Sequence, residues 1–425
     1  MTTNAPHPWW HPYTPKLFTY LKQGYSLKHL RADTLAGLTV AIVALPLAMA
    51  LGIASGAGPA EGLITVVIAG LLISALGGSR YQIGGPTGAF VVVIYNVINT
   101  HGYDGLITAT LMAGVILTLA GFARLGTLIR HIPSAVITGF TAGIAIIIFS
   151  SQIKDLFGLQ IEKVPGEFFE KWHAFWMARD SISGASVIIA ASALALLIVL
   201  RKYAPKWPGF LIAVIWTSGL VALFNLNAPT IGSVFGGIPD TLPLPRMPDI
   251  TVDKMILLLP SALTIAFLAG IESLLSATVA DRMTNRQHRS NAELIAQGIA
   301  NTASSFWGGL PATGAIARTA TNIRAGAYSP MSGVLHAVFV LLFMLFLAPL
   351  ASFVPLAGLA AILVLVAWNM SERHHVWHTL KGAWPEKIVL LATLLLTVTY
   401  DLTVAIIAGV ALSLLFRMIK KIRAA

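Results

Sequence analysis

Apolar residues fall in runs separated by short polar breaks rich in Gly and Pro. The runs lie near 35–53, 62–77, 86–99, 105–122, 133–152, 183–200 and 209–224, and again near 255–279, 291–306, 312–323, 331–349, 352–369, 387–400 and 402–416. A helix needs about 20 apolar residues to cross a bilayer, and the runs at 86–99 and 312–323 are too short for that. The pattern predicts an all-α polytopic membrane protein of fourteen segments, seven plus seven, the last two parted only at Tyr400-Asp401. It divides the chain into an N-terminal segment (1–34), a first repeat (35–224), a connection (225–254), a second repeat (255–418) and a short tail (419–425).

The two short runs open on near-identical peptides, Gly84-Gly85-Pro86-Thr87-Gly88-Ala89-Phe90 and Gly308-Gly309-Leu310-Pro311-Ala312-Thr313-Gly314-Ala315-Ile316. Thr87 and Thr313 are 226 residues apart, about half the chain, and Pro133 and Pro355 recur at a similar offset of 222. Internal duplication with Gly/Pro-interrupted segments at matching places points to a secondary transporter. Because seven is odd, the second repeat runs opposite to the first, and the two short-helix starts face each other near the bilayer midplane. Each start leaves its first N–H groups without intrahelical partners and aims a positive dipole end inward, which suits an anion. Glycine permits close backbone approach there, and proline is tolerated in a first helical turn. The plainer alternative is that Gly-Gly-Pro only punctuates loops.

Charge tests this layout. With a cytoplasmic N-terminus, 21 Lys and Arg fall in cytoplasmic segments and six outside (Lys154, Lys163, Lys171, Arg179, Arg246 and Lys254), as the positive-inside rule requires. Both termini are therefore expected in the cytoplasm. The net charge of +11 is spread between apolar runs and does not indicate nucleic-acid binding. At 56% apolar and 11% charged, the composition excludes the soluble classes, and the absence of cysteine excludes disulfides and thiolate metal sites. Residues 1–34 carry Trp9, Trp10, Tyr13, Phe18 and Tyr20 among basic residues but no signal-peptide pattern; they lie along the membrane surface or form a tail.

Within the spans, Glu272 and Arg318 stand out. A carboxylate in mid-span costs roughly 2.5–3.5 kcal/mol, so Glu272 must face the protein interior, as a structural acceptor or as a proton carrier. Arg318 follows Thr313 by about one turn and adds a full positive charge to the dipole ends; it attracts an anion, pairs with Glu272, or does both. By the 226 offset Pro46 corresponds to Glu272 and is expected beside the same cavity. Ser276 lies one turn after Glu272 on the same helix face. Thr87 and Thr313 either donate hydroxyls to an anion or cap their own helices. His336 reads as an interhelical donor, Asp401 as interfacial, and His374, His375 and His378 with Glu372 as a loop cluster. No nucleophile elbow, phosphate loop or zinc spacing appears, so no catalytic residue, metal or cofactor is expected.

Several stretches resemble the sulfate permease (SulP, solute carrier 26) family of anion transporters. They are Leu30-Arg31-Ala32-Asp33-Thr34-Leu35-Ala36-Gly37-Leu38-Thr39-Val40 with Ala44-Leu45-Pro46, Gly78-Ser79-Arg80 through Thr87-Gly88, Ile132-Pro133 with Gly139-Phe140, and Ala280-Asp281 through Asn291 to Asn301. The resemblance implies a uracil-permease-like 7+7 inverted repeat, split into a core (spans 1–4 and 8–11) and a gate (spans 5–7 and 12–14), with the core moving as an elevator. It also implies that substrate sits between the starts of spans 3 and 10. Residue by residue, it carries substrate contact to Thr87, Gly88, Ala89 and Phe90, to Leu51 in span 1, and to Thr313, Gly314, Ala315 and Arg318. The coupling-ion role falls to Glu272 and Ser276. Family members usually end in a STAS domain, whereas this sequence stops at Ala425. Arg318 occupies the region where sodium sits in bicarbonate symporters, which disfavours sodium coupling.

The expected function is proton-coupled uptake of sulfate, bicarbonate or a small dicarboxylate across a bacterial cytoplasmic membrane, by a homodimer with no enzymatic activity. Alternatives are an electroneutral anion exchanger, a sodium-coupled bicarbonate symporter, and a nucleobase symporter of the same fold; the last is expected to carry a second carboxylate at the start of span 10, where Ala312-Thr313-Gly314 stands. A channel or voltage-responsive motor is a rival from another class.

Overall fold

A computed structural model describes residues 11–127, 133–162, 164–205, 207–400 and 402–424. Trp9, Trp10, Arg130, Ile132, Lys163, Lys206 and Asp401 lie outside the described residues. Among those described, eight helices are long and apolar enough to cross a membrane: Leu27–Ala54, Pro59–Leu76, Gly88–Phe122, Ser134–Phe157, Gly184–Tyr203, Val252–Thr284, Met331–Ala351 and Leu356–Lys381. The remaining apolar runs form the helices Gly209–Phe224, Ser290–Phe306, Ile316–Arg324, Trp384–Thr399 and Leu402–Ala424.

Local chemistry sets where these helices begin and break. Ser26 Oγ accepts from His29 N (3.4 Å) and Thr251 Oγ1 from Lys254 N (3.3 Å), satisfying first-turn donors at two starts. The long segment Gly88–Phe122 is interrupted at Gly102, whose φ of 72° and ψ of 176° suit a residue without Cβ. The apolar runs at 86–99 and 105–122 are therefore separate elements within it.

The helices pack in two groups. Leu27–Ala54, Pro59–Leu76, Gly88–Phe122, Val252–Thr284, Ser290–Phe306, Ile316–Arg324 and Met331–Ala351 form one. One of its crossings brings backbone against backbone: a Cβ at Gly298 would stand 2.5 Å from Thr118 N and 2.6 Å from Gly114 O. Small residues allow such approach where lipid supplies no hydrophobic drive between helices. Ser134–Phe157, Gly184–Tyr203, Gly209–Phe224, Leu356–Met370, Trp384–Thr399 and Leu402–Ala424 form the second group. It is meshed in the same way, with a Cβ at Gly139 falling 2.5 Å from Leu390 O.

The duplicated peptides meet inside the first group. Gly84–Gly85 and Thr313–Gly314 form a two-stranded antiparallel ladder, Gly84 opposite Gly314 and Gly85 opposite Thr313. Backbone too short to be helical thus pairs with its own repeat, which gives the polar groups of the junction hydrogen-bond partners across the ladder. The Val252–Thr284 helix, which carries Glu272, packs directly against this ladder.

Candidate anion site

Both short helices start from the ladder. Thr87 precedes the 3-10 turn Gly88–Phe90, and Ala315 precedes Ile316–Arg324; both are extended, and neither makes a side-chain cap. Thr87 Oγ1 instead donates to Glu272 Oε2 at 2.6 Å, and Thr313 Oγ1 donates to Ala269 O at 2.9 Å. Of the two sequence readings for the threonines, capping is not what they do here. Each hydroxyl ties a short-helix start to the Val252–Thr284 helix, one turn apart.

Arg318 is 2% exposed. Its Nη2 donates to Pro86 O across the ladder, while Nε and Nη1 have no partner among the described residues. The guanidinium lies against Gly85, where a Cβ would stand 2.4 Å from Nη1. Among the described residues, no ion pair within 4.0 Å joins Arg318 to Glu272. The arginine of the second repeat therefore binds the peptide of the first, and two of its donors remain for something else.

A cavity of about 390 Å³ opens between the two helix groups. Leu51, Thr87, Gly88, Ala89, Glu272, Ala315 and Arg318 line it from one side, with Val136, Phe140 and Phe210 facing them from the other. Four other residues with expected roles stand behind this lining. Ser276 Oγ is turned to Thr319 Oγ1 (3.3 Å), Thr313 is held by Ala269, and Gly314 is covered by the Gln82 side chain. Phe90 is fully buried. Pro46 is buried too, and its helix reaches the cavity through Val43, Leu47 and Leu51 instead.

A second cavity, of about 550 Å³, begins at Val92. Since Ala89 lines the first cavity, only Phe90 and Val91 part them along this strand of backbone; on the facing helix, Ile144 belongs to one cavity and Ile147 to the other. Phe90 thus forms part of a thin apolar septum.

Glu293 was not singled out by the sequence reading, yet it is wholly buried and supports the site. Its Oε2 accepts from Gly78 N (2.9 Å) and Ser79 N (3.0 Å), and its Oε1 from Gln82 Nε2 (2.8 Å), Ser273 Oγ (3.1 Å) and Gln297 Nε2 (3.1 Å). Asn301 brackets Ala312, donating to its O (2.9 Å) and accepting from its N (2.8 Å). These groups fix the peptides that lead into both short helices. The signal was available: Glu293 follows Ala292 and precedes Leu294 in an apolar run, the argument that selected Glu272. His336 departs from its expected role as a donor, because it is buried and neither ring nitrogen has a partner among the described residues. His374, His375 and His378 are exposed, and the described residues hold no cluster of metal-binding side chains.

A multi-pass helical membrane protein with an acid, a base and two helix starts around a cavity between packed helix groups has the build of a transporter. Comparison then places it: the model of the Sulfate permease family matches residues 30–393, and the chain belongs to that family of anion transporters. It is 48% identical over 395 residues to a Bacillus subtilis protein named "Putative sulfate transporter YvdB", covering 93% of this chain and 74% of that one. It is 32% identical over 403 residues to the bicarbonate transporter BicA of Picosynechococcus, covering 90% and 69%. The solved transmembrane domain of a cyanobacterial BicA superposes with a TM-score of 0.79 at 30% identity, over 91% of this chain and 98% of that one. Murine Slc26a9 in the inward-facing state shares the fold, with a TM-score of 0.85 at 17% identity over 99% and 73%.

Proposed function

We propose that the protein carries a small inorganic or carboxylate anion, with sulfate, bicarbonate or a dicarboxylate as the class, in symport with a proton. The observation that carries this reading is one cavity lined by both Arg318 and Glu272. An anion there meets the N–H groups of two helix starts and the two unpartnered donors of Arg318, a setting built for oxyanion recognition. Glu272 stands in the same space with, among the described residues, only the Thr87 hydroxyl as a hydrogen-bond donor, so a proton on its carboxyl would offset the charge of an incoming anion.

Fourteen crossings as an inverted repeat fit the helix order, and the two packed groups support an elevator in which the group holding the ladder slides against the other. Ser134–Phe157, Val252–Thr284 and Leu356–Lys381 line the cavity with the halves nearest the basic loops, through Val136, Phe140, Leu275, Val279, Asn369 and Met370, and this supports a site facing the cytoplasm. Homodimerisation and cytoplasmic termini complete this reading.

Uptake of labelled sulfate, bicarbonate and fumarate into proteoliposomes, with and without an inward proton gradient, tests it. Accumulation of one anion that depends on the gradient, and that loses this dependence in Glu272→Gln, is the expected result. Uptake indifferent to the gradient but requiring a trapped internal anion would show an exchanger and remove the coupling role from Glu272.

A further inference from the structure

The second cavity, beyond the septum, has no role in the mechanism above. It is lined by Asn96, Asn99 and Thr100 of the Gly88–Phe122 segment, by Thr397 of the other helix group, and by Glu167 and Lys171 of the connecting chain. Lys171 is unusual there. It is 6% exposed, on a helix (Phe168–Met177) that follows the loop, and among the described residues no carboxylate lies within 4.0 Å of its ammonium. Glu167, one turn earlier, is exposed at the rim, and its carbonyl accepts from Lys171 N at 2.9 Å. Nζ sits 5.4 Å from the ring centre of Tyr95, a cation–π contact that holds the charge at the cavity wall without neutralising it.

The surroundings fix that position. Tyr95 OH donates to Val164 O, and Trp172 Nε1 donates to Ser150 Oγ at 3.2 Å, pinning the loop and the helix that bears Lys171 to both helix groups. Burial pushes the ammonium below the usual lysine range. A lysine this buried is ordinarily paired. Here the space beside it is a polar cavity with amide and hydroxyl donors.

We propose that this cavity is an anion antechamber, in which Lys171, Asn96, Asn99 and Thr100 collect a small oxyanion or carboxylate on the far side of the Phe90–Val91 septum from Glu272 and Arg318. The proposal rests on the anion-transport reading only for what happens next; binding in the antechamber is measured without transport.

The chain has no cysteine, so Thr100→Cys introduces a single thiol at the cavity wall. Its modification rates by an anionic reagent (2-sulfonatoethyl methanethiosulfonate) and a cationic one (the trimethylammonioethyl analogue) are compared in proteoliposomes, their ratio cancelling thiol reactivity. Adding Lys171→Gln lowers the anionic-to-cationic ratio about ten-fold, and adding Lys171→Arg preserves it. In the unsubstituted chain, sulfate protects Lys171, and not Lys154, from a membrane-impermeant acetylating reagent, as read by peptide mass spectrometry. A ratio indifferent to Lys171→Gln, or acetylation of Lys171 unaffected by sulfate, overturns the antechamber and leaves the lysine a packing residue, whatever the transport assays give.

Discussion

At the scale of the residue, the site depends on what Gly85 lacks. Its φ of 149° and the 2.4 Å that would separate a Cβ from Arg318 Nη1 leave no room for a side chain. Gly85→Ala is expected to displace the guanidinium at a cost of about 1–3 kcal/mol, and so to slow labelled-anion uptake by about ten-fold or more while the protein still purifies as a folded species. Uptake at the unsubstituted rate would mean that Arg318 need not sit where it does. Glu272 and Arg318 were legible in the sequence because each is a lone charge in an apolar run, where cost alone demands an explanation. The partner of Arg318 was not: a carbonyl 232 residues away has no signature of its own, and the obvious guess, the carboxylate of Glu272, lost to a peptide oxygen made reachable by a missing side chain. Glu293 escaped notice because Ser290, Asn291, Gln297 and Asn301 give its helix the look of a polar boundary, although all of these side chains are buried.

At the scale of the element, the repeated Gly-Gly and Thr-Gly-Ala peptides lie beside each other. That they are joined as a ladder was not legible, since two residues of extended chain leave no alternation to read. The other deciding contacts are helix crossings at glycine. Gly114 and Gly298 bring two helices to backbone contact, and a larger residue there must separate them. Gly298→Val is therefore expected to lower stability by about 3 kcal/mol or more, seen as a fall in detergent melting temperature or in the amount of protein reaching the membrane. An unchanged melting temperature would show that the crossing has slack. Sequence alone marks such glycines poorly, because an interhelical approach and a simple gap in a side-chain row look alike.

At the scale of the whole molecule, the two helix groups meet over small side chains as well. Gly88, at the start of one short helix, faces the second group: a Cβ there would fall 2.6 Å from Ile148 Cδ1 and 3.0 Å from Met370 Sδ. If the groups slide past one another, Gly88→Ala is a wedge between moving parts. Its expected effect is a loss of uptake of about ten-fold with little change in melting temperature, because the strain of about 1–3 kcal/mol falls between the groups and not within either. Equal loss of stability and uptake would instead make the contact part of a single rigid core. The grouping was reached in the sequence only through the family resemblance, since hydropathy gives the helices and their order but not which faces meet.

The septum has an electrical consequence. The two cavities approach to within Phe90 and Val91 of each other along the chain, and where both admit water they interrupt the low-dielectric slab that a bilayer otherwise presents. If the cavities open to opposite sides of the bilayer, the transmembrane potential falls mainly across that septum instead of across the full hydrocarbon thickness. A unit charge that crosses the septum does work of about 2.3 kcal/mol per 100 mV while travelling only a short way. A small displacement of the bound anion relative to Phe90 is enough to make transport sense voltage, without any charged helix having to traverse the membrane.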